Sequence, residues 1–250
     1  MASSRIENHY QREKIILDQA EVMFEKGGIY SISMPELSKL ASCSTNTMYS
    51  HFKCREDILV GIFNRYCAKW FVMAGRLISQ SPGGFAERFA AKMILGPYLL
   101  TKEIEVCGIQ FIMDLPIIWN ISSPERVLIS RTLLELTATE NFNFTNVARN
   151  FGLINVSDPV IHKVLRRCFI LERGFCNLAN NKIFREHILE EPFSDYIEQI
   201  KNEMKKLNWN FDVMTTSTEE ILKIIESVIL DINAIDPDKI IQQLQNSGKW

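Results

Sequence analysis

The sequence predicts an all-α fold, and three observations carry that expectation. Eleven Gly and eight Pro in 250 residues are too few for a loop-rich all-β chain, and both lie between long stretches that contain neither. Apolar residues recur at three- and four-residue steps along most of the chain, the period of one helix face. No alternating stretch is long enough to read as a strand, and there is no internal repeat or low-complexity tract. Hydrophobic residues at 46% and charged residues at 23% sit near globular averages and exclude wholesale disorder. The length leaves one large domain or two modest ones open.

In the first helix Ile16, Ala20 and Phe24 share one face, while Glu13, Asp18, Glu21 and Glu25 lie mostly on the other. Gly27-Gly28 stops it, offering a glycine for the left-handed position past the end. Ser33 followed by Glu36 reads as a capping box, with Pro35 tolerated in the first turn and Ile32 and Leu37 as its hydrophobic staple. That second helix buries Leu37, Leu40 and Ala41. After Ser42-Cys43, Ser44 is an N-cap for a short third helix, Thr45 to His51. Two short helices joined this tightly form a helix-turn-helix, whose second member is shaped for a DNA major groove. A long helix follows from Arg55 towards Ile78, with Ile62, Phe63, Tyr66, Trp70, Met73 and Leu77 at helical steps.

Beyond Ser81-Pro82-Gly83-Gly84, helices are expected over Phe85–Thr101, with a kink or division at Gly96-Pro97, and then over Glu103–Met113, Pro124–Thr137 and Asp158–Asn177. Others are expected near Ser194–Lys206 and Thr218–Asp231, with a short one after Pro237.

The N-terminal quarter resembles the TetR-type bacterial transcriptional regulators. Ile16, Leu17, Ala20, Met23, Phe24 and Gly27 match the family's first helix. Ser33, Leu37, Ala41, Ser44, Thr47, Met48, Tyr49, His51 and Phe52 match its helix-turn-helix, and Arg55, Glu56, Ile58 and Leu59 its next helix start. The order and spacing hold without a gap over about 45 residues, which is more specific than a lone helix-turn-helix. The resemblance implies an N-terminal three-helix DNA-binding domain, residues 1–57, and a larger helical-bundle ligand-binding and dimerisation domain, residues 58–250. It also implies a homodimer, a double-stranded DNA operator and a small apolar effector as partners, and a cytoplasmic, bacterial setting. Departures are Thr45-Asn46 where a basic residue and Gly are common, Ser42 at the turn Gly, and Cys54 at a Ser-like cap. The last two each predict a loss of about 1 kcal/mol.

Residues 1–57 hold seven Lys/Arg against eight Asp/Glu, and the whole chain has a net charge of -2. No general basic surface exists, so electrostatic affinity for DNA rests on a few placed cations. Ser44, Thr45, Asn46 and Thr47 occupy the first turn of the recognition helix, the end that meets base edges. Asn46 suits adenine through its amide, and Thr45 a thymine methyl. By resemblance Tyr49 and His51 meet the phosphate backbone, with Ser33 and Arg55 adding contacts from helix starts. Lys53, Lys39, Arg5 and Arg12 are weaker phosphate candidates. The structural alternatives are Tyr49 packing with its hydroxyl outward and His51 buried in the helix bundle.

The larger region is rich in adaptable apolar side chains. Phe89, Met93, Tyr98, Phe111, Trp119 and Phe169 are candidates for an effector pocket, with Asp114 as its polar anchor. Apolar residues at this spacing are more often plain core, and Asp114 serves equally as a cap of the chain before Pro116. His162–Arg185 is basic and the chain from Glu190 onward is acidic, two regions suited to meeting within or between subunits, or to plain solvation. Asp158–Asn177 is the preferred dimerisation helix, with Thr218–Asp231 as its companion.

No phosphate loop, zinc-protease motif or nucleophile elbow is present, so no catalytic residue or cofactor is assigned. The four histidines show no metal-ligand spacing in the sequence, and no metal is assigned. The six cysteines form no C-x-x-C pair and suit free thiols, although Cys54 beside Lys53 and Arg55 is a conceivable redox switch. No stretch resembles a signal peptide or a membrane span. A second function class is a TetR-shaped adaptor or coactivator acting on a protein partner, with DNA binding weak or lost.

Overall fold

A computed structural model describes residues 2–102, 107–181, 192–210 and 216–246. These residues form helices α1 (Ala2–Gly27), α2 (Met34–Leu40), α3 (Thr45–His51), α4 (Arg55–Ser79), α5 (Phe85–Thr101) and α6 (Pro116–Ile121). They continue with α7 (Pro124–Asn150), α8 (Asp158–Asn180), α9 (Pro192–Lys205), α10 (Thr218–Ile229) and α11 (Pro237–Asn246). Among the described residues there is no strand, only an isolated antiparallel bridge between Ile154 and Trp209. The fold is all-α, as expected.

The chain divides into two compact units that do not follow chain order. The first comprises residues 1–68, 108–134 and 236–250, and the second 69–107 and 135–235. In the first unit α1 packs on α2, and α2 on α3. Ile16, Ala20, Leu37, Met48, Phe52, Ile58 and Phe63 are buried there. Gly28 takes φ +64 where α1 stops, and the Ser31 hydroxyl closes the turn by donating to the carbonyls of Met23 (2.6 Å) and Gly28 (2.7 Å). Gly61 marks a close approach of α4 to α1, since a Cβ there would lie 2.8 Å from Leu17 Cδ2. From the far end of the sequence, Ile240, Ile241 and Leu244 of α11 pack against Ala68, Ile129 and Leu133.

Arg65 ties this unit together from α4. Its guanidinium, 2% exposed, pairs with Asp18 (2.9 Å) and Glu21 (3.1 Å) of α1 and with Asp238 of α11. The Asp238 contact is bidentate, at 2.8 Å from Nε and 2.5 Å from Nη2. Burial alone would raise the Asp238 pKa, but Arg65 and Lys14 hold it below the ordinary carboxylate value.

In the second unit α5 is central, and its buried run from Phe89 to Leu99 packs on α8, α9 and α10. α5 runs unbroken through Gly96-Pro97, so the expected division there is absent. Burial along its whole circumference holds it together where propensity would break it. Phe144 of α7 stacks on Phe85 and Phe89, with centroids 5.0 and 5.2 Å away. Lys92, fully buried, pairs with Glu140, and burial pulls its pKa down against that carboxylate.

Two further expectations are corrected. Within Glu103–Met113, residues 103–106 lie outside the described residues, and Cys107–Asp114 is a 3-10 helix rather than α-helix. Helix α7 runs on past Thr137 to Asn150, carried by burial of Phe144, Thr145 and Ala148 through an Asn- and Thr-rich stretch of weak helix propensity. Among the described residues no helix is long and apolar enough to cross a membrane.

Candidate nucleic-acid interface

The recognition helix is fixed from below and open above. Met48 and Phe52 point into the first unit and are fully buried. Ser44 caps α3, its hydroxyl accepting from the Thr47 amide at 3.0 Å and lying 2.9 Å from the Thr47 hydroxyl. Ser44, Thr45 and Asn46 are exposed, Thr47 is half-buried, and Tyr49 is 49% exposed one turn on. Ser44 to Thr47 make up the N-terminal turn of α3, and Tyr49 lies one turn beyond Thr45.

Ser42 supplies the turn before α3 with φ +49, the left-handed conformation for which a glycine is easier. The turn is closed by the Ser42 amide on Lys39 O (3.1 Å) and the Cys43 amide on Ser38 O (3.0 Å). Ser33 stands before α2 with extended backbone but makes no side-chain capping bond, so the expected capping box with Glu36 does not form. Its hydroxyl remains available at the helix start.

Of the cations flanking α3, Lys53 is exposed and Arg55 half-buried. Lys53 Nζ is 4.0 Å from Glu125, and Arg55 Nη2 is 3.1 Å from Glu56. An exposed pair such as Lys53–Glu125 is worth little. The start of α4 is anchored by Asp57, a residue that sequence reasoning passed over. Its buried carboxylate accepts from the Lys53 amide (2.9 Å) and from the Ser123 amide (2.7 Å) and hydroxyl (2.9 Å). An acid in a helix's first turn is the signal that pointed to it.

His51 occupies a different position from the open face. Its side chain is 7% exposed, its ring lies 4.2 Å from that of His9, and Nδ1 is 3.6 Å from Glu13 Oε1. Burial, then the neighbouring His9, lowers its pKa from the ordinary histidine value against the pull of Glu13. Arg126 of α7 donates to both Glu13 and the His51 carbonyl (3.3 Å), with its guanidinium 4.5 Å from the Phe52 ring centre.

The expected effector residues are not brought together in one unit. Phe89, Met93 and Tyr98 lie buried on α5 in the second unit. Phe169 is also in that unit, on α8, but is 48% exposed. Phe111, Asp114 and Trp119 belong to the first unit, where Trp119 packs edge-on against Phe63 and donates to Ile112 O at 3.0 Å. The Tyr98 hydroxyl donates to Glu226 at 2.8 Å, and burial together with that carboxylate pushes its pKa up to about 12. Cys54, beside Lys53 and Arg55, is partly buried. Burial foremost raises its thiol pKa. Cys43, Cys54, Cys67, Cys168 and Cys176 are free thiols.

Residues 16–62 match the family described as bacterial regulatory proteins, tetR family. No curated protein sequence matches the chain closely. Among solved structures, a protein of unknown function from Rhodococcus sp. RHA1 is similar at TM-score 0.56 and 16% identity, over 78% of this chain and 95% of that one. RolR in complex with resorcinol is similar at TM-score 0.55 and 12% identity, over 88% of this chain and 95% of its own. The superantigen PfiT reaches TM-score 0.54 at 12% identity, over 78% and 95%. At these identities the likeness is one of fold, and fold alone hosts more than one task. The N-terminal match thus makes residues 16–62 similar to the tetR family of bacterial regulatory proteins, and the helix-turn-helix of α2 and α3 lies within that span.

Proposed function

We propose that the chain is a dimeric transcriptional repressor that reads a palindromic operator through α3 and releases it on binding a small apolar effector. The observation that carries the reading is the exposure of Ser44, Thr45, Asn46 and Tyr49 at a helix held in place by the buried Met48 and the buried C-cap Phe52. Asn46 and Thr45 read base edges, and Thr47 lies beside them. Ser44, Tyr49, Ser33, Lys53 and Arg55 hold phosphates. His51, turned inward, contributes by holding the end of α3 in place.

Two α3 helices enter successive major grooves about 34–36 Å apart. Dimerisation through α8 is supported by its exposed Phe169 and Ile170, which a partner helix would cover. For the effector we propose the apolar second unit around Phe89, Met93 and Tyr98. That RolR holds resorcinol in a similar fold supports a small ring compound as the probe class. An effector acts only through different affinities for the DNA-bound and free states.

The test is selection of bound fragments from genomic DNA, followed by affinities at several salt concentrations. Asn46→Ala should relax the preference at one base position by about 1–3 kcal/mol. Tyr49→Ala should weaken all sites alike. Failure of the wild type to enrich any site at low salt would remove the repressor reading and return the adaptor alternative.

A further inference from the structure

Three ligand-bearing side chains meet beneath the recognition helix. His9 and Glu13 stand four residues apart on one face of α1, and His51 is the last residue of α3. One donor atom from each lies within 4.8 Å of the others. His9 Nε2 is 3.3 Å from Glu13 Oε1, and His51 Nδ1 is 3.6 Å from the same oxygen. The edges of a tetrahedral zinc site with ligand bonds near 2.1 Å are about 3.4 Å. A small movement of the His9 ring would complete the triangle.

A second observation points the same way. His51 Nδ1 is buried and makes no hydrogen bond among the described residues. A buried nitrogen without a donor or acceptor is costly, and it is aimed at the carboxylate and the second imidazole. In the sequence, 42 positions separate the two histidines, so no ligand spacing is visible there.

We propose that His9, Glu13 and His51 form a binding site for a divalent transition metal, with zinc as the fitting ion and water in the fourth position. Two imidazoles and one carboxylate suit zinc and its neighbours, whereas calcium and magnesium demand several more oxygens. Arg126 hydrogen-bonds the Glu13 carboxylate and so orients it, the role outer partners play for ligating carboxylates. Its charge opposes a dication, which sets the affinity below that of a closed structural site. Bound metal would fasten α1 to the last turn of α3. The site stands on this geometry alone and does not depend on the operator proposal.

The experiment is titration of the reduced full-length chain with Co2+ and then Zn2+, followed by visible absorption and by competition with a chelating indicator. The expected result is one cobalt per chain with weak d–d bands and no thiolate charge-transfer band, displaced by zinc. His9→Ala should weaken binding by at least about tenfold. Its thermal melt in chelator should match wild type, because His9 is half exposed on α1. His51→Ala should lose binding as well. Absence of binding, a thiolate band, or wild-type affinity in His9→Ala would each overturn the proposal.

Discussion

Glu172 shows how one side chain makes the stability of this protein depend on pH. It sits on α8 in the second unit, and burial raises its carboxyl pKa to about 7, with Arg173 opposing. An acid raised in the folded state binds more protons folded than unfolded between about pH 4.5 and 7. Stability therefore falls as pH rises through that window, and the penalty is complete above it. Glu172→Gln should remove the penalty. At pH 8 its melting temperature should exceed wild type by about 2–4 °C per kcal/mol regained, and the two should converge near pH 5. A parallel pH dependence in both proteins would sink the assignment. The residues of the recognition helix were legible in the sequence because capping, turn and periodicity act over a few positions. Ser44 is the clearest case, an N-cap by type and by geometry. The inward turn of His51 stood only as an alternative in the sequence, since what decides it is His9 and Glu13 arriving from α1.

At the scale of elements, the sequence marks helix starts better than helix ends. α3 and α8 begin where their signals place them, at Thr45 and Asp158. α7 outruns its expected end by more than three turns because Phe144 and Ala148 are buried, and burial outweighs the poor propensity of Asn and Thr. The crossing of α1 and α4 is likewise set by packing, through a glycine that no turn explains. Gly61→Ala should destabilise the first unit by about 1–3 kcal/mol, because the added methyl meets Leu17 at 2.8 Å. Leu17→Ala in the same chain should recover part of that loss in a urea melt. Additive losses in the double variant would refute the contact.

For the whole molecule, the expected boundary after residue 57 and the compact units describe different things. The motif is local in sequence, whereas the first unit also recruits residues 108–134 and 236–250. Nothing in the periodicity of α11 announces that its partners are Ala68, Ile129 and Leu133. Asp238 gives the arrangement a direct test. Removing one partner of a buried pair commonly costs 3–5 kcal/mol, and with Asp18 and Glu21 still on Arg65, Asp238→Ala should cost about 2 kcal/mol. The Asp238 carboxyl is held low in the folded protein, so its contribution is present above pH 4 or so and fades as pH falls. The variant should differ from wild type at pH 7 and approach it in acid; an equal difference at both would count against the pair.

The Arg65–Asp238 contact spans 173 positions of chain, and this has a consequence for synthesis. At about 5–20 residues per second, a ribosome needs roughly 9–35 s to travel from one partner to the other. Throughout that interval Arg65 has only the acids of α1, and the groove that α11 fills stays open on the nascent chain. The unit that carries α3 therefore closes only after α11 has been made.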